Sequence, residues 1–592
     1  MKIKINRNIL WSKVFIDQLA ALGVKYACIS PGSRSTPLTY ILSKNRKIKS
    51  FIHIDERSSA FFALGLAKAC GKPVIVVTTS GTAVAELYPA IIEAYQQRTP
   101  LIICTADRPP ELMGTGANQT INQHNIFANH IRWFRDLGLP SISEIGLNHL
   151  QKIAIKAYQI SLITDKGPVH LNFPFRKPLE PVSHTDFVSK KIISLKPLRI
   201  SLKKTISKNP DKQSGFINKI VEESIRHERG IIIAGPMEYD RKLSEAIKKL
   251  SRILNYPIFA DGLSQIRFGL KKNDRNIVSN FNSILRSENF RNHFEPDIIL
   301  QFRRTPTSSV LEGFLSETNA ERYLVNSFGD KFDPAGNAKA VLQIDPEIFC
   351  WNLIEKLRDI KFSRQKSNYF KAFVQAEFLT EKIKSRIIAK AKFPNETSII
   401  PQIIDSLPST CNIFIANSLP VRDLDTFVSA NSKRLSIHFN RGASGIDGIT
   451  STALGLASNS KPTILITGDL SFIYDLSALV TARKYSTRIV IIVINNNGGG
   501  IFESLPIANN YSKFKEYFVT QHNIDLGKIV NSFSINYELI TNLKKLNSSI
   551  KNGLTKNFPV VLEIKTEAKK SLEMREKYFN EAKKKLNKEF LQ

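Results

Sequence analysis

Short aliphatic segments without polar alternation recur along this 592-residue chain, and stretches with helical periodicity separate them. Examples are the segments 74–78 (VIVVT), 101–105 (LIICT) and 489–494 (IVIIVI). A strand of this composition is typically buried on both faces, as in a parallel sheet that crossover helices cover on both sides. The sequence therefore predicts an α/β fold built from doubly wound parallel sheets.

Two interruptions of this alternation divide the chain into three predicted domains. The first domain is 1–182, and a linker rich in Lys, Ser and Pro follows at 183–214. The central domain is 215–392, and the third domain, 393–592, ends in a basic helix. The predicted strands are 26–30, 51–55, 74–78 and 101–105 in the first domain, 230–235, 257–260, 297–302 and 340–345 in the second, and 412–416, 463–467, 489–494 and 560–564 in the third.

Positive charge exceeds negative charge by a wide margin, since 84 Lys and Arg face 52 Asp and Glu for a net charge of +32. Such a balance is found in proteins that bind nucleic acids or membrane surfaces. Here the basic residues are spread over the whole chain, without a zinc finger or interleaved aromatic residues. We therefore expect no nucleic acid as a partner.

Several features of the sequence favour a cytoplasmic protein. The start of the chain lacks the apolar core of a secretory signal. Its aliphatic runs are far shorter than the ~20 residues that span a bilayer, so we expect no membrane insertion. The five cysteines are scattered and form no C-x-x-C pair, which favours reduced thiols over a disulfide framework or a zinc ribbon.

Polar motifs follow two predicted strands of the third domain. The motif 468–471 reads Gly-Asp-Leu-Ser, and the motif 495–500 reads Asn-Asn-Asn-Gly-Gly-Gly. Asp469 and Asn496 are 27 residues apart, about one βαβ crossover, which places both motifs at the carboxyl ends of parallel strands. A carboxylate, an amide oxygen and the Gly498 carbonyl suit Mg²⁺, and a helix N-terminus suits a phosphate.

Gly-Asp followed at this interval by Asn-Asn resembles the metal and diphosphate motif of enzymes that use thiamine diphosphate (ThDP). The common third residue of that motif is Gly, whereas this chain has Leu470. A different interpretation is that Gly-Asp and Asn-Gly are only turn residues after strands. The motif taken alone leaves both interpretations open.

The first domain carries a second feature that a ThDP enzyme requires. Such an enzyme needs a carboxylate that bonds the aminopyrimidine of the cofactor and favours its imino tautomer, which takes the proton from the thiazolium carbon. Glu56 follows the predicted strand 51–55 and precedes an apolar helix. A different interpretation is that Glu56 is an ordinary acidic residue at the N-terminus of that helix, where the helix dipole stabilises a negative charge. The Gly-containing turn 78–83 is expected to pack beside the pyrimidine.

Longer motifs make the resemblance specific. They occur in order at 30–37 (SPGSRSTP), 55–57 (DER), 105–112 (TADRPPEL), 116–119 (GANQ), 440–448 (NRGASGIDG) and 495–502 (NNNGGGIF). With these motifs the chain resembles the 2-succinyl-5-enolpyruvyl-6-hydroxy-3-cyclohexene-1-carboxylate (SEPHCHC) synthase family of menaquinone and phylloquinone biosynthesis. The resemblance runs from about residue 8 to residue 566, and it is tight in the first and third domains and loose in the second.

This resemblance implies a transferase with a pyrimidine-binding, a central and a diphosphate-binding domain. It implies ThDP and Mg²⁺ as cofactors, with Mn²⁺ as a substitute. The implied reaction decarboxylates 2-oxoglutarate and adds the remaining four-carbon unit to isochorismate in a 1,4-addition. The implied assembly is a homodimer or homotetramer with active sites between subunits, in which Glu56 acts on cofactor bound by the partner subunit's Asp469.

The resemblance also assigns roles to individual residues. Catalytic roles fall to Glu56, Ser33 and Arg34, and the metal ligands are Asp469, Asn496 and Gly498. Cofactor contacts are assigned to Glu56, Ser80, Gly81, Thr82, Ser418, Ile446, Gly468, Asp469, Leu470, Ser471, Asn496, Gly498 and Ile501. Substrate contacts are assigned to Arg34, Arg108, Asn118, Gln119, Ser418, Arg422, Arg441, Ile501 and Phe502. The four arginines suit two dianionic substrates, because a guanidinium binds a carboxylate with two parallel hydrogen bonds.

One segment departs from the family pattern. Relatives often carry a Ser-Lys pair after a central-domain strand, and here Ser309 stands where the lysine is expected. Either Arg303 or Arg304 compensates, or the substrate carboxylate is bound more weakly there. Another ThDP-dependent 2-oxoacid decarboxylase or carboligase is the main competing interpretation, and a catalytically weakened relative is a further one.

Overall fold

Three six-stranded parallel sheets form the framework of the protein. The computed structural model describes residues 2–184, 186–200, 210–271, 274–459 and 461–590, with side chains omitted at 210–213. The strands are β1 (Lys2–Ile5), β2 (Tyr26–Ile29), β3 (Lys49–Ile52), β4 (Val74–Thr78), β5 (Leu101–Asp107), β6 (Trp133–Asp136), β7 (Pro168–Pro174), β8 (Asp186–Ser189), β9 (Gly230–Ala234), β10 (Ile258–Ala260), β11 (Ile277–Val278), β12 (Ile298–Phe302), β13 (Glu321–Asn326), β14 (Ala340–Gln343), β15 (Thr410–Ile415), β16 (Arg434–His438), β17 (Thr463–Gly468), β18 (Ile489–Asn495), β19 (Asn536–Leu539) and β20 (Val560–Lys565).

Helices cover both faces of these sheets, as the continuous aliphatic strands predict. The helices are α1 (Arg7–Ala21), α2 (Thr36–Lys44), α3 (Glu56–Cys70), α4 (Thr82–Ala85), α5 (Tyr88–Gln97), α6 (Glu144–Gln159), α7 (Lys190–Ile193), α8 (Pro210–Arg226), α9 (Arg241–Leu254), α10 (Phe281–Ile284), α11 (Glu288–His293), α12 (Ser309–Glu317), α13 (Pro346–Asp359), α14 (Asn368–Lys390), α15 (Glu396–Ser406), α16 (Leu419–Phe427), α17 (Ile449–Ala457), α18 (Asp469–Tyr474), α19 (Ala478–Lys484), α20 (Leu526–Ser532), α21 (Leu543–Thr555) and α22 (Ala568–Glu589).

The first and third sheets repeat one strand order. The first sheet runs β3-β2-β4-β5-β7-β6, and the third runs β16-β15-β17-β18-β20-β19. The central sheet has the order β11-β10-β9-β12-β13-β14. In each sheet the chain reverses its direction of travel at one internal strand pair, where open α/β sheets bind ligands. The prediction of three doubly wound parallel sheets is confirmed.

Most predicted strands agree with the structure to within two residues, and the largest shift is at β3. This strand ends at Ile52, three residues before the predicted end. Residues 53–55 form the turn before α3, because the Asp55 side chain accepts a hydrogen bond from the Ser58 amide at 3.1 Å and caps that helix. The antiparallel pair β1 and β8 was not predicted, and neither were six strands of the parallel sheets: β6, β7, β11, β13, β16 and β19. Four of them lie at sheet edges, where the sequence is polar or the strand is short.

The predicted linker contains ordered structure. Strand β8 lies within it and pairs antiparallel with β1, with Lys2 opposite Ser189. Helix α7 follows, and residues 201–209 of the predicted linker lie outside the described residues. The domain boundaries themselves remain a prediction.

Helices α3 and α17 join the first and third units through a close crossing. A Cβ atom on Gly65 would lie 2.0 Å from the Thr452 carbonyl oxygen, and one on Gly455 would lie 2.0 Å from the Phe62 carbonyl oxygen. Only glycine allows the two backbones to approach this closely. A single buried core, which includes Phe61 of α3, continues from the first unit into the third.

The basic C-terminal segment folds as helix α22, as predicted, and one of its faces is buried. Tyr578, Ala582 and Leu586 have no exposed surface. The Tyr578 hydroxyl donates to Asn280 Oδ1 of the central unit at 3.0 Å. Within the described part of the chain, no helix has both the length and the apolarity needed to cross a bilayer.

Candidate active site

A cleft opens at the carboxyl ends of β15, β17 and β18 in the third sheet. Ser418 follows β15, Asp469 follows β17 and Asn496 follows β18, and all three line the cleft. The pair β15 and β17 is the point where the strand order of this sheet reverses. The other predicted residues that line the cleft are Ile446, Gly468, Leu470, Ser471, Gly498, Ile501 and Phe502.

Asp469 is the first residue of α18 and is 2% exposed. Its carboxylate accepts hydrogen bonds of 2.8 Å from the backbone amides of Leu470 and Gly498. Burial raises the pKa of Asp469, and these amide contacts oppose that rise. A buried carboxylate of this kind is well placed to be neutralised by a cation.

His522 also contacts Asp469, and the sequence offered no signal for it. The Ile524 amide donates to His522 Nδ1 at 3.0 Å. Nδ1 therefore carries no proton, and Nε2 donates to Asp469 Oδ2 over 3.2 Å. His522 thus donates a hydrogen bond that orients the carboxylate.

Asn496 presents an unpaired oxygen. Its Nδ2 donates to Glu396 Oε1 at 2.9 Å. Its Oδ1 is buried and has no hydrogen-bond partner. Because a buried acceptor without a donor is costly, this oxygen is a ready ligand for a cation.

Gly498 supplies a third oxygen through its backbone. Its φ is 137°, and a Cβ atom at this position would lie 2.3 Å from the Val519 carbonyl oxygen. Only glycine fits at position 498 for these two reasons. The Gly498 carbonyl accepts from the Gly500 amide at 3.0 Å and keeps a second lone pair.

One carboxylate, one amide oxygen and one carbonyl match the hard oxygen donors that Mg²⁺ prefers, with phosphate oxygens to complete the shell. Within the described ranges there is no cluster of three or more His, Cys, Asp or Glu side chains that would form an all-protein metal cage.

Two arginines flank the cleft. Arg422 on α16 donates to the Ser418 carbonyl at 2.7 Å, and Arg441 lies 3.4 Å from Asn417 Oδ1. Burial lowers the pKa of Arg422, and the positive charge of Arg441 lowers it further. Two neighbouring guanidinium groups of this kind favour an anion between them.

A second cluster of predicted residues lies at the carboxyl ends of β4 and β5 in the first sheet. Arg108 donates to the Ser80 hydroxyl and, at 2.8 Å, to the Asn118 carbonyl. Gln119 Nε2 donates to the Ser80 carbonyl at 3.0 Å. The Gly81 amide donates to Gln123 Oε1 at 3.1 Å, which fixes the turn before α4. Exposed Thr82 begins that helix.

Arg34 belongs to the same cluster. It is buried beside the exposed Ser33 and donates to the Phe175 carbonyl at 2.7 Å. Burial lowers the pKa of Arg34, and the charge of Arg108 adds to that effect. The first unit therefore holds a second pair of neighbouring arginines.

Glu56 is the first residue of α3 and is half-buried. Burial raises the pKa of Glu56, and the charges of Asp55 and Glu86 raise it further. A carboxyl whose pKa is raised is suited to a role in proton transfer.

The predicted site residues thus form two groups within one chain. The described lining of the cleft belongs to the third unit and includes neither Glu56 nor Arg34. The cleft has a volume of about 130 Å³, below the roughly 300–1,000 Å³ of most ligand pockets. The lining also omits Arg303 and Arg304, and Ser309 is the first residue of α12.

Comparison with protein families identifies the class. Residues 11–126 match the thiamine pyrophosphate enzyme N-terminal TPP binding domain, and residues 423–564 match the C-terminal TPP binding domain. Residues 200–415 match the middle domain of thiamine pyrophosphate enzymes. The fold and these matches define a thiamine diphosphate-dependent enzyme.

Individual relatives narrow this class. The chain is 36% identical to a SEPHCHC synthase of Trichodesmium erythraeum (strain IMS101), over 95% of this chain and 96% of the relative. It is 35% identical to the synthase of Haloquadratum walsbyi, over 96% and 97%, and 34% identical to that of Geobacillus kaustophilus (strain HTA426), over 97% of both chains. The chain belongs to the SEPHCHC synthase family.

Proposed function

We propose that this enzyme decarboxylates 2-oxoglutarate and joins the remaining four-carbon unit to isochorismate, giving SEPHCHC and CO₂. The observation that carries the proposal is the presence of two pairs of neighbouring arginines, Arg34 with Arg108 and Arg422 with Arg441. Each pair suits a carboxylate, and both proposed substrates are dicarboxylates. The names of the relatives supply the identity of the product.

The cleft is proposed to hold the metal and the diphosphate of ThDP. Asp469, Asn496 Oδ1 and the Gly498 carbonyl would bind Mg²⁺, for which Mn²⁺ would substitute. Bound ThDP would supply a nucleophilic carbon and a cationic thiazolium ring that takes up the electron pair released on decarboxylation. The chain's own part is to bind the diphosphate end, exclude water and orient the metal.

Glu56 is proposed to manage the proton that activates the cofactor. Glu56 would share a proton with the aminopyrimidine nitrogen, a role that its raised pKa supports. Arg34 and Arg108 would bind one substrate beside it, while Arg422 and Arg441 would bind the other. Ser33, Asn118 and Gln119 would add polar contacts.

The active site is proposed to lie between two copies of the chain. The described lining of the cleft comes from the third unit alone, and the remaining predicted site residues, Glu56 among them, lie in the first unit. In a homodimer or homotetramer, Glu56 would complete the cleft formed by the partner subunit's Asp469. We place the enzyme in the cytoplasm, where its five free cysteines would stay reduced.

Consumption of isochorismate by the purified protein tests the proposal. Loss of isochorismate that requires ThDP, Mg²⁺ and 2-oxoglutarate together, with release of CO₂, is the expected result. Release of CO₂ from 2-oxoglutarate without any loss of isochorismate would instead indicate a different ThDP-dependent decarboxylase or carboligase. The absence of both reactions would contradict the proposed function.

A further inference from the structure

A buried carboxylate fixes the orientation of the Asn496 side chain. Glu396, the first residue of α15, is 1% exposed, and its Oε1 accepts from Asn496 Nδ2 and from the Thr566 hydroxyl, each at 2.9 Å. A carboxylate accepts hydrogen bonds but does not donate them. It therefore selects the carboxamide orientation in which Nδ2 faces Glu396 and Oδ1 is free.

The C-terminal helix supplies the countercharge for this carboxylate. Arg575 of α22 donates to Glu396 Oε2 at 2.6 Å and forms two hydrogen bonds, of 2.8 and 2.7 Å, with Asp423. Burial acts to lower the pKa of Arg575, but Asp423 and Glu396 outweigh burial and raise it. The guanidinium thus stays charged and offsets two buried carboxylates, whose burial without a countercharge would be destabilising.

This network connects three helices around the cleft. Asp423 lies on α16, which begins directly after the cleft residue Ser418. Helix α22 is held against α15 by a second contact, in which the Glu396 amide donates to the Ser571 hydroxyl at 3.3 Å. The position of α22 is therefore coupled through Glu396 to Asn496, which lines the cleft.

We propose that Glu396 and Arg575 are positioning residues that hold the Asn496 carboxamide with its oxygen toward the metal. The inference rests on the metal site proposed above and extends it to the C-terminal helix, which gains a part in cofactor binding. A flipped carboxamide would present N–H groups to the cation and remove one ligand. Loss of such an outer partner lowers metal affinity by about 10–100-fold.

Titration of the protein with Mn²⁺ in the presence of ThDP measures this affinity without turnover, because free Mn²⁺ gives a distinct electron paramagnetic resonance signal. In Glu396→Gln the new amide can donate to Asn496 Oδ1 and so permits the flipped carboxamide. We expect the Kd for Mn²⁺ to rise at least about tenfold. The melting temperature of the metal-free protein reports separately on folding.

Exchanging the carboxylate at 396 and the carboxamide at 496 is expected to restore Mn²⁺ binding. In the double variant E396Q/N496D, the amide at 396 donates to one oxygen of the carboxylate at 496, and the other oxygen faces the metal. We expect Mn²⁺ affinity within about threefold of wild type. Asn587→Ala is the matched control, because Asn587 accepts a hydrogen bond of 2.6 Å from the Ser287 hydroxyl and lies far along α22 from Arg575. It should leave the Kd unchanged.

Arg575→Lys provides a second route if Glu396→Gln does not fold. A lysine keeps the charge but cannot bridge two carboxylates in a fixed plane, so a weaker rise in the Kd is expected. Wild-type affinity in both single variants, or weaker binding in E396Q/N496D than in E396Q, would overturn the inference. A wild-type protein that does not bind Mn²⁺ with ThDP would instead overturn the proposed function, so the two failures are distinguishable.

Discussion

The Ser477 hydroxyl of the third unit donates a hydrogen bond of 2.6 Å to the Asp55 carboxylate of the first unit. Asp55 caps the helix that begins with Glu56. On the other side of Glu56, the hydroxyl groups of Ser58 and Ser451 lie 2.8 Å apart. Residues of the third unit therefore contact the N-terminus of α3 before and after Glu56, the proposed proton-transfer residue. Both contacts are made within one chain.

Replacement of the carboxyl of Glu56 tests its proposed role. Glu56→Gln keeps the shape of the side chain but cannot share a proton with the aminopyrimidine, so we expect turnover to fall by about 10²–10⁴-fold while ThDP still binds. Steady-state kinetics and calorimetry measure the two effects. Glu86→Gln is the control, since it removes a nearby charge and leaves Glu56 in place. Turnover near that of wild type in Glu56→Gln would refute the assignment.

Removal of the Asp469 carboxylate tests the metal site. In Asp469→Ala the cleft loses its only proposed charged metal ligand, so we expect Mg²⁺-dependent binding of ThDP to disappear in calorimetry. Asp525→Ala serves as the comparison, because this side chain is 59% exposed and lies outside the described lining of the cleft. Unchanged binding of ThDP in Asp469→Ala would place the metal elsewhere.

The raised pKa of Asp475 predicts how the free energy of unfolding depends on pH. It is fully buried and accepts from the Ser451 amide at 2.6 Å, and burial raises its pKa from 3.8 to about 7. Between about pH 4 and pH 7 the folded state keeps a proton that the unfolded state has released. The stability from this proton is complete below about pH 4 and is lost as the pH rises through about 7.

The variant Asp475→Asn is expected to lose that dependence. We expect the decline in melting temperature between pH 5 and pH 8 to be smaller in the variant than in wild type, as measured by thermal unfolding at both values. Asp525→Asn, at an exposed position, should follow wild type. An equal decline in all three proteins would contradict the assigned pKa.

The close crossing of α3 and α17 predicts the effect of a single methyl group. Gly65→Ala would place its Cβ atom 2.0 Å from a backbone carbonyl, so we expect a loss of about 1–3 kcal/mol in the free energy of unfolding. Gly313→Ala is the matched control in helix α12, where no atom lies within 4 Å of the added Cβ. Because alanine favours a helix, that control should be neutral or stabilising. Equal stability of both variants in denaturant unfolding would contradict the packing.

Sequence analysis predicted the strands that are apolar throughout and the motifs in which several consecutive residues fit one pattern. Continuous aliphatic runs predicted β4 and β18, and the spacing of Asp469 and Asn496 predicted that both follow the carboxyl ends of parallel strands, where the structure has a cleft. Edge strands such as β19 (NYEL) were missed, because an edge needs no continuous apolar run.

Partners that meet only through tertiary packing were also missed. His522 contacts Asp469 across 53 residues, and Arg575 reaches Glu396 across 179 residues. Nothing in the local pattern around Arg575 distinguishes it from the other basic residues of α22, which are mostly solvated. Its burial follows from the docking of the helix, which depends on the whole fold.

The glycine crossing of α3 and α17 also constrains how this chain can be taken apart. Since one core continues from the first unit into the third, a fragment that ended before α17 would expose the apolar side of α3 to water. Such a fragment would tend to aggregate instead of behaving as an independent module. The first and third units therefore depend on each other to bury their apolar surfaces, and a larger side chain at position 65 or 455 would require the opposite backbone to shift.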